Sequence, residues 1–155
     1  MKKILIIVFV LLASASVSAH GTEIDLKEFA QKYFDAMVSS QAPDATEKEL
    51  EAYLTLLTDD VGHTHLPYVT DGSRQADGKQ SMRKGMTFYL GAHTEYNAEL
   101  LDVFVFNSSA IAIRYKNSAK GIHPQSKQQL SYTQTMMEVL EIENGKVAVI
   151  RKYHE

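Results

Sequence analysis

Helical hydrophobic periodicity dominates the part of the chain that follows its N-terminal segment. Apolar side chains recur at three- and four-residue spacing from Leu26 to Val38, and Asp25 and Glu28 have the spacing of a capping box at the start of that run. A second capping signature, Thr46 to Glu49, precedes an apolar stripe from Leu50 to Leu57. The pattern therefore predicts two capped amphipathic helices in succession.

A third helix is predicted after one short strand. The stretch from Val61 to Val69 has the composition of a strand, and a polar turn from Thr70 to Gly78 follows it. From Lys79 to Leu90 the apolar residues return to helical spacing. The first half of the domain is thus expected to supply three helices and one strand.

From Tyr96 onwards the hydrophobic period changes to two, which is typical of strands. Two hairpins are predicted, one around Asn107-Ser108 and one around Asn144-Gly145, the stronger turn signal. The predicted strands cover 98–106, 109–116, 130–142 and 146–154, and the polar stretch 117–129 is predicted to be a long surface loop. Helices followed by meandering strands indicate an α+β fold with three N-terminal helices packed on a strongly curved antiparallel sheet.

The hairpin turns also predict which side chains share a face of the sheet. Pairing Glu143 with Lys146 places Glu138 opposite Arg151 and Met136 opposite Tyr153, on a face that is otherwise apolar. The same count across Asn107-Ser108 places Asp102 among apolar neighbours. Polar groups on apolar faces predict a pocket on the inside of the curved sheet.

The first nineteen residues have the three parts of a secretory signal peptide. Lys2 and Lys3 precede an apolar run over 4–13, and small residues end at Ala19. That run is shorter than the roughly 20 apolar residues that a membrane helix needs. We therefore expect a signal peptide over 1–19, a domain over 20–155 without a stable membrane anchor, and export, to the periplasm if the source is bacterial.

Composition and charge exclude several classes of protein. The chain has 155 residues, no cysteine and a formal charge of -3, so neither a disulfide scaffold nor a basic footprint for nucleic acid is expected. The absence of cysteine also excludes lipid attachment of the bacterial lipoprotein kind. No phosphate loop, nucleophile elbow or zinc-protease helix is present, and no cofactor is predicted.

The order of elements resembles the nuclear transport factor 2-like superfamily, particularly its SnoaL-like branch, over residues 24–155. The resemblance rests on two capped helices, LTDDV leading into a strand, the DGKQSMRKGMTFYL helix, and four strands that end in IENGKVAVIRKYHE. It implies a cone-shaped α+β barrel with a pocket at its open end that takes a small molecule, and often a homodimer. The fold by itself does not imply one reaction.

The resemblance to the ketosteroid-isomerase branch implies three catalytic positions. Its tyrosine oxyanion donor matches Tyr33 in FAQKYFDAM, and its aspartate base falls near His65 in TDDVGHTHLP. Its second oxyanion donor, an aspartic acid, matches Glu138 on counting back from NGKV. Two of the three residue types differ from that family, so the isomerase activity itself is not expected to carry over.

These residues define a candidate acid–base site. His65 is expected to take a proton next to a carbonyl, with Tyr33 or a protonated Glu138 donating to the developing oxyanion. The alternative for Glu138 is an ion pair with Arg151 that fixes the sheet register or holds an acid group of a ligand. Candidate ligand-binding residues are Asp102, Tyr68, Arg151 and Tyr153.

Two further hypotheses remain open at the level of sequence. The first is a metal site, because His63 and His65 alternate on a strand and point to one face, with a third ligand still required. The second is a binding or interaction module without catalysis. The preferred hypothesis is an exported small-molecule-binding domain, with acid–base chemistry at His65 on a small apolar carbonyl compound.

Overall fold

A computed structural model describes residues 24–155. The predicted signal peptide, 1–19, lies outside the described residues. The elements, in chain order, are α1 (Leu26–Gln41), α2 (Glu47–Leu54), β1 (Leu57–Leu66), α3 (Gly78–Tyr89), β2 (His93–Asn107), β3 (Ala110–Ile122), β4 (Gln129–Glu143) and β5 (Lys146–His154). All three predicted helices and all five predicted strands are present.

The first two helices begin where their caps predict. The side chain of Asp25 accepts hydrogen bonds from the backbone N–H groups of Lys27 and Glu28, and so satisfies two donors that the first turn leaves unpaired. The predicted capping box of α2 is confirmed, because Thr46 and Glu49 each pair with the backbone of the other. Both helices bury their apolar stripes, and α1 packs against α2, β2 and β3.

The five strands form one sheet in the order β1-β5-β4-β3-β2. The pairs β2–β3, β3–β4 and β4–β5 are antiparallel, whereas β1 runs parallel to β5. The predicted α+β class is confirmed, but the sheet is mixed rather than wholly antiparallel, and it is not closed into a barrel. The edges that remain are β1 and β2.

The predicted surface loop over 117–129 is wrong for its first half. Strand β3 continues to Ile122 and pairs with β4 as far as Gln129, so only residues 123–128 connect the two strands. Polar side chains within this extension alternate, as in any strand, and Asn117 is only 6% exposed. The polar composition that suggested a loop therefore belongs to a strand with one buried polar position.

The predicted register of the last hairpin is wrong by one residue. Asn144 and Gly145 form the predicted turn with φ of 50° and 77°, and Glu143 pairs with Lys146 as expected. A bulge at Ala148 follows, because Ile142 pairs with Val147 and Glu141 with Val149. Glu138 is consequently opposite Lys152, and Arg151 is opposite Val139.

A one-residue shift moves every following side chain to the other face of the sheet. Glu138 and Lys152 point to the inner face that the helices cover, whereas Arg151 and Tyr153 point to the outer face. Bulges in β2 have the same effect on Asp102, which pairs with Arg114 rather than with the predicted apolar neighbour. No helix in residues 24–155 is long and apolar enough to cross a membrane.

Candidate functional site

A cavity of about 510 Å³ lies between the inner face of the sheet and the three helices. Methionine and tyrosine side chains make up much of its wall, and four histidines and one lysine are among its polar residues. This volume is within the usual range of about 300–1,000 Å³ for small-molecule sites. The apolar residues are Met37, Ala42, Met82, Met86, Ala92, Leu130 and Met136, and the titratable ones are Tyr53, His63, His65, Tyr89, His93, Tyr96, Tyr115, Tyr132, Lys152 and His154.

The floor of the cavity includes Lys152 of β5 and His65 of β1, and the row of side chains that contains them continues to Glu138 behind the floor. Glu138 of β4 is opposite Lys152 of β5, and Lys152 is the register partner of His65 on β1. The ammonium of Lys152 lies 2.8 Å from Oε1 of Glu138. Because direct register partners share a face, the row brings a carboxylate, an ammonium and an imidazole together.

Glu138 is sealed behind this floor with 0% exposure and does not line the cavity. Tyr115 donates a hydrogen bond of 2.7 Å to Oε1, and Tyr33 donates one of 2.8 Å to Oε2. Burial raises the pKa of Glu138, but the ammonium of Lys152 and the two phenol donors outweigh burial and hold the pKa below its usual range. Glu138 is therefore a carboxylate at neutral pH and cannot be the predicted protonated oxyanion donor.

The tyrosines around Glu138 have no hydroxyl proton left for a ligand. Tyr33 donates to Glu138, so Tyr53 must donate in the 3.0 Å contact between the two hydroxyl oxygens. Burial, followed by the charge of Glu138, raises the pKa of Tyr33, Tyr53 and Tyr115 above the ordinary tyrosine range. All three phenols therefore stay protonated, with their protons already committed within the chain.

Three histidines stand beside Lys152 on the cavity wall. The rings of His63 and His65 meet edge to face with centroids 4.5 Å apart, and Nε2 of His154 lies 3.4 Å from Nδ1 of His65. Burial, and then the charge of Lys152, lowers the pKa of His63 to about 3 and that of His65 to about 4. Both imidazoles are therefore neutral at pH 7, and each offers one N–H donor and one acceptor nitrogen.

The opposite end of the cavity carries a second polar group. Nδ1 of His93 lies 2.8 Å from the carbonyl oxygen of Gln41, so this nitrogen carries the proton and donates. His93 also stacks on Tyr96, whose pKa burial raises to about 12. The amide nitrogen of Asn117 lies 3.5 Å from the Tyr96 hydroxyl, and its buried Oδ1 has no partner among the described residues.

The three predicted catalytic residues do come together in space, around a residue that the sequence analysis did not select. His65 lines the cavity, while Tyr33 and Glu138 lie behind its lining and are joined to it through Lys152, Tyr53 and Tyr115. The predicted Glu138–Arg151 ion pair is wrong. Arg151 pairs instead with Glu141, its Nε 2.9 Å from Oε1, on the outer face.

None of the predicted ligand-binding residues lines the cavity. Asp102 and Arg151 form ion pairs on the outer face, with Arg114 and Glu141, and Tyr153 is opposite Met137 there. Tyr68 is 77% exposed and packs edge-on against His154, with ring centroids 5.3 Å apart. Of these four residues, Tyr68 thus lies closest to the cavity, because it contacts the lining residue His154.

Lys152 and Asn117 are among the cavity residues that the sequence analysis does not select. The predicted inner position of Arg151 implies the outer face for Lys152, because the unbroken apolar run from Val147 to Ile150 cannot reveal a bulge. Asn117 was placed in a loop because its neighbours are polar. A signal for Asn117 did exist, since it follows the buried Tyr115 by two positions.

Among residues 24–155, the hypothesis of a metal site at His63 and His65 lacks a third ligand. Within residues 24–155 no group of three or more histidine, aspartate or glutamate side chains is arranged to hold a metal ion. His63 and His65 share a face as predicted, but their edge-to-face contact turns the rings against each other.

A second, more open concavity of about 590 Å³ lies at the start of α1. Ile24, Asp25 and Lys27 border it, together with the two hairpin turns at Asn107 and Asn144. The residues that precede it in the chain are outside the described part. None of the tyrosines and histidines whose pKa values are shifted lines this concavity, and most of them line the cavity above Lys152.

Solved structures with this arrangement identify the fold. An Anabaena variabilis protein described as nuclear transport factor 2-like has a TM-score of 0.62 at 18% identity, covering 90% of this chain and 95% of its own. A candidate polyketide cyclase of Pseudomonas putida has 0.59 at 20%, covering 83% and 90%. An M. tuberculosis epoxide hydrolase described as LEH-like has 0.58 at 13%, covering 83% and 84%.

Direct comparison of the sequence with family models and with curated proteins gives no match. What the solved structures share with this chain is the order and packing of the helices and the curved sheet, at identities too low to carry residue roles across. The chain has the nuclear transport factor 2-like fold, as the order of its elements predicted.

Proposed function

We propose that this domain binds a small, largely apolar organic molecule in the cavity, with the polar group of that molecule at the floor. The observation that carries the proposal is the contrast within the lining. Methionine and tyrosine walls converge on Lys152, His63 and His65, so a ligand buries its apolar part and directs its polar atoms to one place. Small-molecule sites commonly combine an apolar wall with a few convergent polar groups.

The structural neighbours support the same proposal at a coarse level. Their names describe a candidate polyketide cyclase and an epoxide hydrolase, which act on small organic molecules. A fold of this type hosts several unrelated chemistries, so the shared architecture supports a ligand cavity and not a particular reaction.

Gly85 offers a clean way to test the cavity. It lines the cavity from α3, and a Cβ added there would meet nothing within 4 Å. Gly85→Phe should therefore add a ring beside the cavity at a position where the Cβ meets no neighbour, and Gly85→Ala is the matched control. Both substitutions also remove a glycine from a helix, which favours the folded state.

Neutral 1-naphthaleneacetamide is a suitable probe because the chain has no tryptophan to mask naphthalene fluorescence. We expect a dissociation constant on the order of a millimolar or below for the wild type and for Gly85→Ala. Gly85→Phe should weaken binding about tenfold or more. Equal affinity in all three proteins would place the probe outside the cavity and contradict the proposal.

We propose proton transfer by His65 as a second function of the same site. His65 faces the cavity, is neutral at pH 7, and contacts His154 at 3.4 Å, so a proton accepted from a ligand has a second imidazole to move to. With Tyr33 and Glu138 committed to each other, the ammonium of Lys152 is the donor placed to stabilise a developing oxyanion.

Deuterium exchange at the α-carbon of 2-tetralone tests this second function. We expect exchange in D₂O to be faster with the wild-type protein than in buffer and to return to the buffer rate in His65→Gln. His123→Gln is the control, because His123 does not line the cavity. Exchange that persists in His65→Gln would remove His65 from the role of base and leave a binding protein.

Export and dimerisation stay proposals. Export rests on residues 1–19 and predicts that mass spectrometry of the protein from a periplasmic fraction gives a chain that begins after Ala19.

A homodimer is favoured by apolar side chains on the edge strand β2, where Phe106 is 63% exposed. Phe106→Lys should shift a dimer to a monomer in light scattering.

A further inference from the structure

The cavity differs sharply from the rest of the chain in its charge. The sequence has 19 acidic and 16 basic residues, yet Lys152 is the one formally charged side chain among the described residues that line the cavity. No aspartate or glutamate of residues 24–155 is part of that lining. The described wall that a ligand would touch therefore carries no carboxylate, although the protein has more acidic than basic residues.

The carboxylate that balances Lys152 is on the far side of the ammonium group. Glu138 is fully buried, while the Lys152 side chain keeps 18% of its surface accessible. The positive end of this ion pair faces the cavity, and the negative end faces the core. Of the three N–H donors of the ammonium, only one is needed for the 2.8 Å contact with Oε1 of Glu138.

The neighbouring groups add donors at the same place. His63 and His65 are neutral imidazoles, each with one N–H. The N–H of His65 is on Nε2 when its Nδ1 accepts from Nε2 of His154. The hydroxyl protons of Tyr53 and Tyr115 are already directed to Tyr33 and Glu138. An acceptor group of a ligand would therefore find its hydrogen bonds on Lys152 and the two imidazoles, and no negative charge to repel it.

We propose that the ligand of this cavity is a small apolar acid whose carboxylate binds at Lys152, beside His63 and His65. The inference rests on the proposed binding function and specifies the class of its ligand. In the complex Lys152 lies between two carboxylates, Glu138 behind and the ligand in front, and donates to both. Charge-assisted hydrogen bonds of this kind are roughly twice as strong as neutral ones.

The test compares 1-naphthaleneacetate with 1-naphthaleneacetamide, which has the same shape and no charge. We expect the acid to bind the wild type at least about tenfold more tightly than the amide, as one hydrogen bond to a charged group provides. Lys152→Met should abolish this preference while the amide still binds. Lys120→Met is the control, since Lys120 pairs with Glu95 on the surface and should leave the preference intact.

Glu138→Gln provides a second variant with the opposite expectation. It keeps one carbonyl acceptor, for Tyr115, and removes the charge that competes for Lys152. Its amide N–H group then faces the Tyr33 hydroxyl, which can donate to Tyr53 instead. The acid should then bind more tightly than it does to the wild type, while the amide is unaffected. A general loss of structure would weaken both ligands, so this result also guards against a Lys152→Met protein that does not fold.

The outcomes separate the two proposals. Equal affinity for acid and amide, with both weakened in Gly85→Phe, would overturn the acid inference and leave the cavity proposal standing. An acid preference that survives in Lys152→Met, or that falls in Glu138→Gln, would also overturn it. Failure of both ligands to bind the wild type at millimolar concentration would end both proposals.

Discussion

Two consecutive residues of β5 make the same kind of ion pair in opposite environments. Lys152 pairs with Glu138 at 2.8 Å on the inner face, and Arg151 pairs with Glu141 at 2.9 Å on the outer face. The inner carboxylate is 0% exposed, whereas the side chains of the outer pair are 41% and 45% exposed. Distance is therefore not what distinguishes them.

The difference shows that burial decides what an ion pair contributes. Water competes for both partners of the outer pair, so its formation changes the free energy of unfolding little. At the inner pair no water reaches Glu138 to replace a lost partner, and two tyrosines donate their hydroxyl groups to the same carboxylate. The inner pair is consequently a structural requirement of the cavity floor as well as its charged group.

Removing one partner from each pair should give the largest contrast. Lys152→Met leaves the Glu138 carboxylate buried and unpaired, and we expect it to lower the free energy of unfolding by about 3–5 kcal/mol. Arg151→Met should lower it by less than about 1 kcal/mol. Urea denaturation of the two variants measures both values, and equal losses would contradict the distinction.

Neutralising both inner partners sharpens the same comparison. Glu138→Gln combined with Lys152→Met removes both charges and keeps a carbonyl acceptor for Tyr115, while Tyr33 can donate to Tyr53. The double variant should therefore be more stable than Lys152→Met alone, because no unpaired charge remains in the core. Urea denaturation decides this as well, and a double variant less stable than Lys152→Met would show that the carboxylate is not the source of the loss.

The hydroxyl donors of the inner pair should give the next largest effect. Tyr115→Phe removes a hydrogen bond to a charged acceptor, and we expect a loss of about 1.5–3 kcal/mol in the free energy of unfolding. Tyr68→Phe is the matched control, because the Tyr68 side chain is largely exposed and should be indifferent to the change. A loss as large in Tyr68→Phe would point to the ring rather than to the hydrogen bond.

The buried histidines predict how stability depends on pH. The folded-state pKa values of His63 and His65, about 3 and about 4, are below the unfolded value of 6.5. The unfolded chain therefore binds protons first, so stability is complete above pH 6.5 and is lost as pH falls towards the folded values.

Between about pH 7 and pH 5 we expect a loss of about 1–2 kcal/mol, allowing for the partial exposure of His65. The His63→Gln, His65→Gln double variant should lose less over the same range. Chemical denaturation at each pH measures both curves, and parallel curves would assign the dependence to other groups. Glu138 titrates at lower pH, so it does not obscure this range.

The smallest expected effect concerns a buried hydroxyl without a partner. Thr64 lies between His63 and His65, is fully buried, and its Oγ1 makes no hydrogen bond with the described residues. Thr64→Val keeps the shape and removes the polar atom, so the free energy of unfolding should be unchanged or rise by up to about 1 kcal/mol. A loss greater than that would show that Oγ1 has a partner in solution.

Local signals made most of the fold predictable. The caps at Asp25 and Thr46 and the turn at Asn144-Gly145 each depend on a few adjacent residues, and the elements begin and turn there. The parallel pairing of β1 with β5 and the bulge at Ala148 depend on contacts distant in sequence. Alternation could not specify that register, because both faces of β5 are apolar near the bulge.

The candidate site was predictable only where the order of elements fixed it. His65, Tyr33 and Glu138 follow from their positions within aligned elements. The structure joins Tyr33 to Glu138 by a hydrogen bond and places His65 opposite Lys152 in the sheet. The position of Lys152 on the inner face depends on the bulge, so a one-residue error in the predicted register places Arg151 there instead. The charged residue at the centre of the cavity was for that reason the one that the sequence analysis passed over.

The imidazole nitrogen signals of ¹⁵N-labelled protein, recorded at neutral pH with and without 1-naphthaleneacetate, test the central claim most directly. Histidine-to-glutamine variants assign each signal. We predict neutral rings for His63 and His65, and shifts on binding at His63, His65 and His154, with His123 as the unaffected reference outside the lining. Charged rings at neutral pH, or shifts no larger at these residues than at His123, would contradict the assignment of the cavity floor as the ligand site.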